Sequence, residues 1–276
     1  MSRGEEADLS GRRARFALLW LLGMLLIAPD AALAQREHFQ LKLGPTYDQG
    51  DFGTSETTHT FFFPVTFRYL GDWWDISITN SFIYLDAPEQ ITVVDGAPVR
   101  TDQGAGERET NTGLGDTILR ARFFVVDDPG EAGWWPALTP FLKLKIPTAD
   151  EDRNLGTGET DFGFGVEWDK TFGSLIVFGD ASYTFMGDPP DQDLRDRPAA
   201  SIGAGYRLSE VLTVSALLDW RRALVSGNDD PLELLGIVTY RMSPTLSVSP
   251  YAFAGLTDGS PDFGIGFEVS YRFGRW

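Results

Sequence analysis

Hydrophobic and polar residues alternate strictly along the last stretch of the chain. From Phe263 to Phe273 every odd position is apolar or aromatic, while the even positions hold Gly, Ser, Glu and Arg. A period of two places successive side chains on opposite faces of an extended strand. One face of this strand is therefore apolar and the other polar, as in a β-barrel with lipid outside and water inside.

About twelve segments with this alternation follow the N-terminal region, each of roughly ten residues, the length that crosses a bilayer as a tilted strand. They cover residues 39–47, 58–69, 73–85, 113–126, 137–147, 160–170, 174–186, 198–208, 211–223, 232–242, 246–256 and 262–276. Pro64, Pro140 and Pro250 fall inside three of them. Because proline removes a donor from the strand ladder, we expect a bulge or bend at each.

The connections between these segments alternate in length. Most links after even-numbered segments are as short as Gly71-Asp72, whereas those after odd-numbered segments are longer and acidic. Short turns on one rim and long loops on the other are typical of bacterial outer-membrane barrels. A soluble β-sandwich is the alternative, but its second face would have to bury charged side chains. The sequence therefore predicts an all-β transmembrane antiparallel β-barrel of about 12 strands, with short periplasmic turns and longer extracellular loops.

The N-terminal region has the features of a secretory signal. Arg12, Arg13 and Arg15 precede an apolar run over residues 16–28, which is followed by Ala32-Leu33-Ala34. An apolar run of about 13 residues suits a signal peptide and is shorter than the roughly 20 residues of a spanning helix. We expect residues 1–34 to be cleaved after Ala34, leaving residues 35–276 as a barrel in the outer membrane of a Gram-negative cell.

Composition narrows the range of partners. The 276 residues include 40 acidic and 23 basic side chains and no cysteine, with a net charge of −17. This charge argues against nucleic acid as a partner, and the lack of cysteine excludes disulfides and Cys-ligated metals. The acidic group Asp188, Asp191, Asp193 and Asp196 lacks the Gly-centred spacing and terminal Glu of a calcium loop. We therefore predict no metal and no cofactor.

Charged residues on the polar face gather on particular strands. A basic arc and an acidic arc are predicted to line the pore, the first formed by Arg68, Arg120, Arg122, Lys143 and Lys145, the second by Asp161, Glu167, Asp169 and Asp180. Facing arcs would set a transverse field that selects polar or anionic solutes. The alternative is that these charges pair with one another and stiffen a narrow barrel.

The longest predicted loop, residues 86–112, contains Asp95-Gly96 between short apolar runs, which suits a small hairpin. Two placements remain open, a constriction folded over or into the pore and a flexible surface loop.

Catalysis has little support in the sequence. Only His38 and His59 are present, and two residues from His59 lie Thr57 and Phe61, not a serine. A serine nucleophile needs a neighbouring base, so no catalytic residues are predicted and we expect the chain not to be an enzyme.

Two stretches go beyond a generic barrel pattern. G-L-G-D-T-I-L-R-A-R-F (113–123) and L-K-L-K-I-P-T-A-D (142–150), which continues into L-G-T-G-E-T-D-F-G-F-G from Leu155, resemble the outer-membrane family named for the meta-pathway of phenol degradation. The likeness extends to Y-R-F near the C-terminus; Ala149 stands where Gly is more usual, and residues 274–276 run past the usual ending. The resemblance implies a barrel channel or transporter linked to uptake of aromatic compounds.

The predicted function is passive diffusion of small solutes, with aromatic or hydrophobic ones as candidates, through an outer-membrane channel. A closed structural or adhesive barrel without transport is the alternative, and a membrane-embedded hydrolase ranks last. Expected partners are outer-membrane lipid, the small-molecule solute and the barrel assembly machinery. That machinery reads an aromatic signal at the chain end, for which Tyr271, Phe273 and Trp276 are the candidates.

Overall fold

A computed structural model describes residues 38–101, 107–190 and 192–274 of the chain. The predicted signal peptide, its cleavage site at Ala34 and the candidate assembly residue Trp276 lie outside these residues.

Strands dominate the described part of the chain, with two 3-10 turns at Gly130–Ala132 and Glu151–Arg153. The strands are β1 (Phe39–Leu43), β2 (Thr46–Gly50), β3 (Thr58–Leu70), β4 (Trp74–Pro88), β5 (Ile91–Val94), β6 (Ala97–Arg100), β7 (Arg108–Leu114), β8 (Thr117–Phe123), β9 (Ala137–Ile146), β10 (Asp161–Phe172), β11 (Leu175–Phe185), β12 (Arg197–Arg207), β13 (Leu212–Arg221), β14 (Leu232–Arg241), β15 (Leu246–Gly255) and β16 (Phe263–Phe273). Within this part, no helix is long and apolar enough to cross a membrane.

Antiparallel pairing closes these strands into a barrel. Strand β16 pairs with β15 on one side and with β1 and β2 on the other, and β3 then pairs with β1, β2 and β4. Both β1 with β2 and β7 with β8 act as one interrupted strand, while β5 and β6 form a separate hairpin. Counted in this way the barrel has twelve strands, which confirms the predicted fold.

No bulge accompanies Pro64 or Pro250, two of the three prolines at which a bulge or bend was expected. The pairing register is the same on both sides of Pro64 and of Pro250, and near Pro250 the β14–β15 ladder only leaves one gap. Near Pro250 this gap spans two residue pairs, Val238 with Pro250 and Thr239 with Ser249, whereas the β3–β4 ladder is continuous past Pro64. Near Pro140 there is a bulge, because the N–H groups of Val125 and Val126 both donate to the carbonyl of Leu138, at 3.2 and 3.3 Å.

A further bulge interrupts the strand formed by β7 and β8. Phe82 pairs with Leu114 and Thr79 with Ile118, so three residues of this strand oppose two of β4. The fourth segment therefore starts at Arg108, ahead of the predicted position 113, because the sequence signal of alternation is lost where the bulge changes parity.

The outer wall of the barrel is apolar. Ile76, Ile78 and Phe82 on β4 and Ile265 and Phe267 on β16 belong to a large set of exposed hydrophobic side chains that alternate with inward polar ones. A wall of this kind is stable only against lipid, since exposed apolar patches of such extent are rare on soluble monomers. The structure is thus an outer-membrane barrel.

Candidate functional site: the barrel lumen

A belt of hydrogen bonds and ion pairs follows the inner wall in the periplasmic half of the barrel. The amide of Gln40 donates to Ser270 Oγ at 2.7 Å and accepts from Arg68 Nη1 at 3.3 Å. Arg68 Nε lies 3.7 Å from the fully buried carboxylate of Asp75. This series of contacts joins β16, β1, β3 and β4.

The belt continues through Arg122 and Glu167. Arg122 Nε donates to both carboxylate oxygens of Asp75, at 3.1 and 3.0 Å, and its Nη1 donates to Glu167 Oε2 at 3.1 Å. Glu167 also accepts from Arg120 Nη2 at 2.8 Å, and the Arg120 guanidinium lies 3.8 Å from the centre of the Phe141 ring. Two carboxylates bridge these guanidinium groups. The charged side chains in the periplasmic half of the lumen are therefore held in fixed positions.

The basic and acidic arcs adjoin, and so the expectation that they face each other across the lumen is wrong. Lys145 on β9 is directly opposite Asp161 on β10, and Glu167 on β10 is opposite Asp180 on β11. Asp75 of β4, which belongs to neither predicted arc, lies between Arg68 and Arg122. Neighbouring strands bring opposite charges within ion-pair distance, so most of them are neutralised locally.

The other two residues of the predicted acidic arc, Asp180 and Asp169, take no part in these ion pairs. Asp180 accepts a hydrogen bond from Ser201 Oγ. Asp169 is exposed at the periplasmic end of β10 and forms no ion pair with any described residue. That the two sets of charges select solutes stays a prediction.

A second buried cluster surrounds Lys145, whose side chain is fully buried. Its Nζ lies 2.8 Å from Asp161 Oδ2 and 3.4 Å from Asp116 Oδ2, and donates to Thr157 Oγ1 at 2.8 Å. Asp116 in turn accepts the N–H groups of Thr148 and Ala149, both at 3.1 Å. The motifs that carry the family resemblance therefore meet here, where they fix the β9–β10 loop to the bulge after β7.

The β5–β6 hairpin lies inside the extracellular mouth. Its turn has φ of 55° at Asp95 and 82° at Gly96, and a Cβ on Gly96 would overlap the Phe62 ring of the inner wall. Ile91 and Val93 pack in a buried cluster with Ile83 and Leu85 of β4. Of the two placements left open by the sequence, the structure has the hairpin folded into the pore.

One ion pair ties the tip of this hairpin to the wall. Lys143 Nζ donates to Asp95 Oδ2 at 2.8 Å. Burial by itself would raise the pKa of Asp95, but the charge and hydrogen bond of Lys143, with help from Arg197, lower it to about 2. Asp95 is therefore ionised at any physiological pH, and the contact persists as an ion pair.

The inner wall opposite the charged strands carries an apolar strip, which was not predicted from the sequence. Leu217, Leu235 and Ile237 share the inward face of β13 and β14 with Asp219 and Glu233. Phe253 and Tyr251 continue this face on β15, with their rings over Gly264 and Gly266 of β16. The alternation was visible in the sequence, but the inward face of these strands mixes apolar residues with Asp219 and Glu233, and so periodicity alone did not reveal the apolar strip.

A cavity of about 200 Å³ lies between the hairpin and the loops at the mouth. Phe52, Val99 and Leu224 line it together with Arg197, which is 5% exposed. The predicted eighth segment starts at Pro198 and leaves Arg197 in a loop. It begins β12 and shares the inward parity of Ala199 and Ser201, so extending the alternation by one residue would have found it.

Among the described residues, the carboxylates of the acidic loop and the two histidines contact neighbouring backbone and side chains of the barrel. Asp188 accepts from the N–H of Leu194 at 2.8 Å, and Asp196 from that of Met186 at 3.1 Å, so these carboxylates cap the backbone; Asp191 lies outside the described residues. His59 Nδ1 lies 3.0 Å from the Tyr47 hydroxyl, and His38 Nδ1 3.4 Å from the Leu70 carbonyl. The described residues contain no group of three or more His, Cys, Asp or Glu that could hold a metal ion.

Solved structures share this architecture at low sequence identity. An outer membrane channel from Pseudomonas putida F1 is 11% identical, with 90% of this chain and 100% of that chain covered, and a TM-score of 0.64. The translocator domain of the autotransporter NalP from Neisseria meningitidis is 12% identical over 97% and 96%, with a TM-score of 0.55. The NanC porin is 10% identical over 85% and 99%, with a TM-score of 0.54. These similarities show the barrel fold.

A family model gives the more specific result. It is described as "Putative MetA-pathway of phenol degradation" and matches residues 45–273, which covers most of the chain and all of the motifs around Lys145. The resemblance noted in the sequence is thereby confirmed, and the chain belongs to this family.

Proposed function

We propose that the barrel is a passive channel for small solutes with an aromatic or hydrophobic body. The observation that supports this most strongly is the apolar strip of the inner wall, formed by Leu217, Leu235, Ile237, Tyr251 and Phe253. A water-filled lumen that served only ions would have no need of such a strip. A similar structure is described as an outer membrane channel, which is consistent with this function.

The β5–β6 hairpin is the proposed extracellular constriction. It occupies the mouth, and at its tip a single ion pair between Asp95 and Lys143, each 19% exposed, holds it to the wall. The periplasmic belt, in contrast, is fixed by several bidentate or bridged contacts. Because the hairpin occupies the mouth, its displacement would widen the path on the extracellular side.

Swelling of proteoliposomes tests the channel. Phenylalanine and glutamine are zwitterions of comparable size that cross lipid slowly, and only the first has an aromatic body. We expect phenylalanine to enter faster than glutamine through the wild-type barrel. Leu235→Gln combined with Ile237→Gln should remove this preference, because polar groups on the strip hold water that the aromatic ring must displace. Leu235→Met keeps the strip apolar and is the matched control.

A closed structural or adhesive barrel is the second candidate, and one observation favours it. The inward charges form a dense network of ion pairs, and the mouth is filled by a hairpin. Such a barrel would pass no solute and no ions even after the hairpin is removed. Replacing residues 91–100 by a short Gly-Ser linker joins positions that already approach each other, since Thr101 N donates to Gln90 O at 2.7 Å. Absence of conductance in that variant would rule out the channel.

Three further expectations complete the proposal. The barrel is not an enzyme, and lipid turnover that disappears on changing His59 to Ala would contradict this. Outer-membrane lipid surrounds the apolar wall.

For recognition by the barrel assembly machinery, Tyr271 and Phe273 are the proposed signal, because their rings stack 5.7 Å apart at the lipid-facing end of the closing strand.

A further inference from the structure

We propose that the cavity at the mouth is a binding site for a monocarboxylate with a small apolar or aromatic body, held by Arg197. This proposal names a solute class for the channel and so rests on the proposed function. Binding, however, can be measured without transport.

The first argument is the state of Arg197 itself. Its side chain is buried, with the residue 5% exposed, and its Nε has no hydrogen-bond partner. Among the described residues its guanidinium forms no ion pair. A buried cation without a partner is costly, because it has lost its hydration and gained no compensating hydrogen bonds. An anion in the cavity would supply the opposite charge and the hydrogen-bond acceptors that Arg197 lacks among the described residues.

The second argument is that the nearby carboxylates are already paired. Asp95 is bound to Lys143, Asp161 to Lys145, and Asp219 to Arg221 at 3.0 Å. They act on Arg197 only through space. Arg197 is thus a cation of the cavity lining with no carboxylate partner among the described residues, and it retains its capacity to bind an anion. Arg100, which also lines the cavity, donates from Nη1 to the carbonyl of Gly53 at 2.7 Å.

The lining of the cavity defines the rest of the ligand. Phe52 and Leu224 are almost completely buried and Val99 belongs to the adjoining apolar cluster, so the walls beside Arg197 suit a hydrocarbon body. The exposed carboxylates of Asp229 and Asp258 lie at the rim, where they repel multiply charged anions. A volume of about 200 Å³ accommodates a single ring with its carboxylate. A planar guanidinium matches a carboxylate with two parallel N–H···O bonds.

Calorimetry of the full mature protein in detergent and chloride-free buffer tests the site, with benzoate as the probe. Benzyl alcohol has the same ring without the charge, acetate has the charge without the ring, and phosphate has more charge and no apolar body. We expect saturable benzoate binding with one site per barrel and a Kd at least about tenfold lower than for any of the other three. Equal affinity for benzoate and benzyl alcohol would overturn the role of Arg197. If acetate or phosphate bound as tightly as benzoate, the proposal that the apolar lining recognises the ring would be overturned.

Variants separate the charge from the fold. Arg197→Met should weaken benzoate at least about tenfold and leave benzyl alcohol unchanged, since one charge-assisted interaction is lost. Arg197→Lys keeps a cation and should retain part of the affinity. The matched control is Arg153→Met, which removes the same charge from an exposed position in a surface pair with Asp150. If Arg197→Met does not fold, the ligand series on the wild-type protein still decides the question.

The outcome is distinguishable from failure of the channel itself. Swelling with phenylalanine but no preference for benzoate would contradict only the carboxylate site. Benzoate binding without any solute flux would leave the site in place and contradict the channel.

Discussion

At the scale of single residues, Lys145 shows how the chain uses charge inside the barrel. Its ammonium group is fully buried and has two carboxylates and one hydroxyl as partners. A buried ion pair gains little over an apolar pair of the same volume, but removal of one member leaves the other charge uncompensated. The partners of Lys145 belong to the bulge, to the β9–β10 loop and to β10, so this cluster fixes three parts of the chain to one another.

Substitution of Lys145 tests this role. We expect Lys145→Met to lower the free energy of unfolding by roughly 3 to 5 kcal/mol, because Asp116 and Asp161 would remain buried without their cation. Urea unfolding in lipid vesicles gives the value. Lys42→Met removes a cation from the half-buried, solvent-accessible pair with Glu268 and should cost no more than about 1 kcal/mol. Adding Asp161→Asn to Lys145→Met should recover part of the loss; a double variant no more stable than the single one would contradict this explanation.

At the scale of elements, the β5–β6 hairpin differs from the wall around it. Its packing consists of short apolar side chains and of backbone contacts such as Val93 N to Asn154 O at 3.0 Å. The side chain that joins its tip to the barrel is Asp95, through Lys143. A charged contact at the tip of an otherwise apolar element makes its position sensitive to pH and salt.

The pH dependence follows from the pKa of Asp95. Its pKa is about 2 with the hairpin in place and 3.8 ordinarily, so the contact stabilises the closed hairpin fully above about pH 4 and loses this effect as the pH falls towards about 2. We expect channel conductance to be constant between about pH 5 and 8 and to rise only below about pH 4. Asp95→Asn removes the charge, and should give the higher conductance at neutral pH with little further change in acid.

The complementary variant provides the control for this experiment. Lys143→Met should behave as Asp95→Asn does, because either change breaks the same contact. Lys42→Met alters an inner-wall ion pair on β1 that does not touch the hairpin and should keep the wild-type profile. An acid-induced rise that persists in Asp95→Asn would assign the effect to another carboxylate.

At the scale of the whole molecule, the barrel depends on pairing between its first and last strands. Phe39 is directly opposite Phe273, and their rings stack 5.6 Å apart. Among the described residues the contact extends to Gly274, whose carbonyl accepts the N–H of His38 at 3.0 Å. The φ of Gly274 is 82°, and a Cβ there would overlap the Phe39 ring. Closure and the aromatic chain end therefore lie at the same place on the periplasmic rim.

Assembly offers a test at this scale. We expect a chain lacking residues 274–276 to insert into the outer membrane, because Tyr271 and Phe273 already provide an aromatic end on the lipid-facing parity. Tyr271→Ser combined with Phe273→Ser should reduce insertion severely. Heat-modifiable mobility of outer-membrane fractions measures both. Normal insertion of the double variant together with loss of insertion in the truncated chain would assign the signal to Trp276.

The sequence by itself determined the fold class, the approximate strand count, the orientation and the family, because a period of two and alternating loop lengths are local properties of the chain. It also assigned the inward charges to their strands. The pairing of Asp75 with Arg122, the meeting of the family motifs at Lys145 and the hairpin inside the mouth were decided only by tertiary structure. They depend on register, on the bulge before β8 and on contacts between residues as distant as Asp95 and Lys143, and no local pattern encodes these. For the same reason, the cavity beside Arg197 follows only from the tertiary structure, because its lining comes from the hairpin, from β12 and from several loops of the mouth.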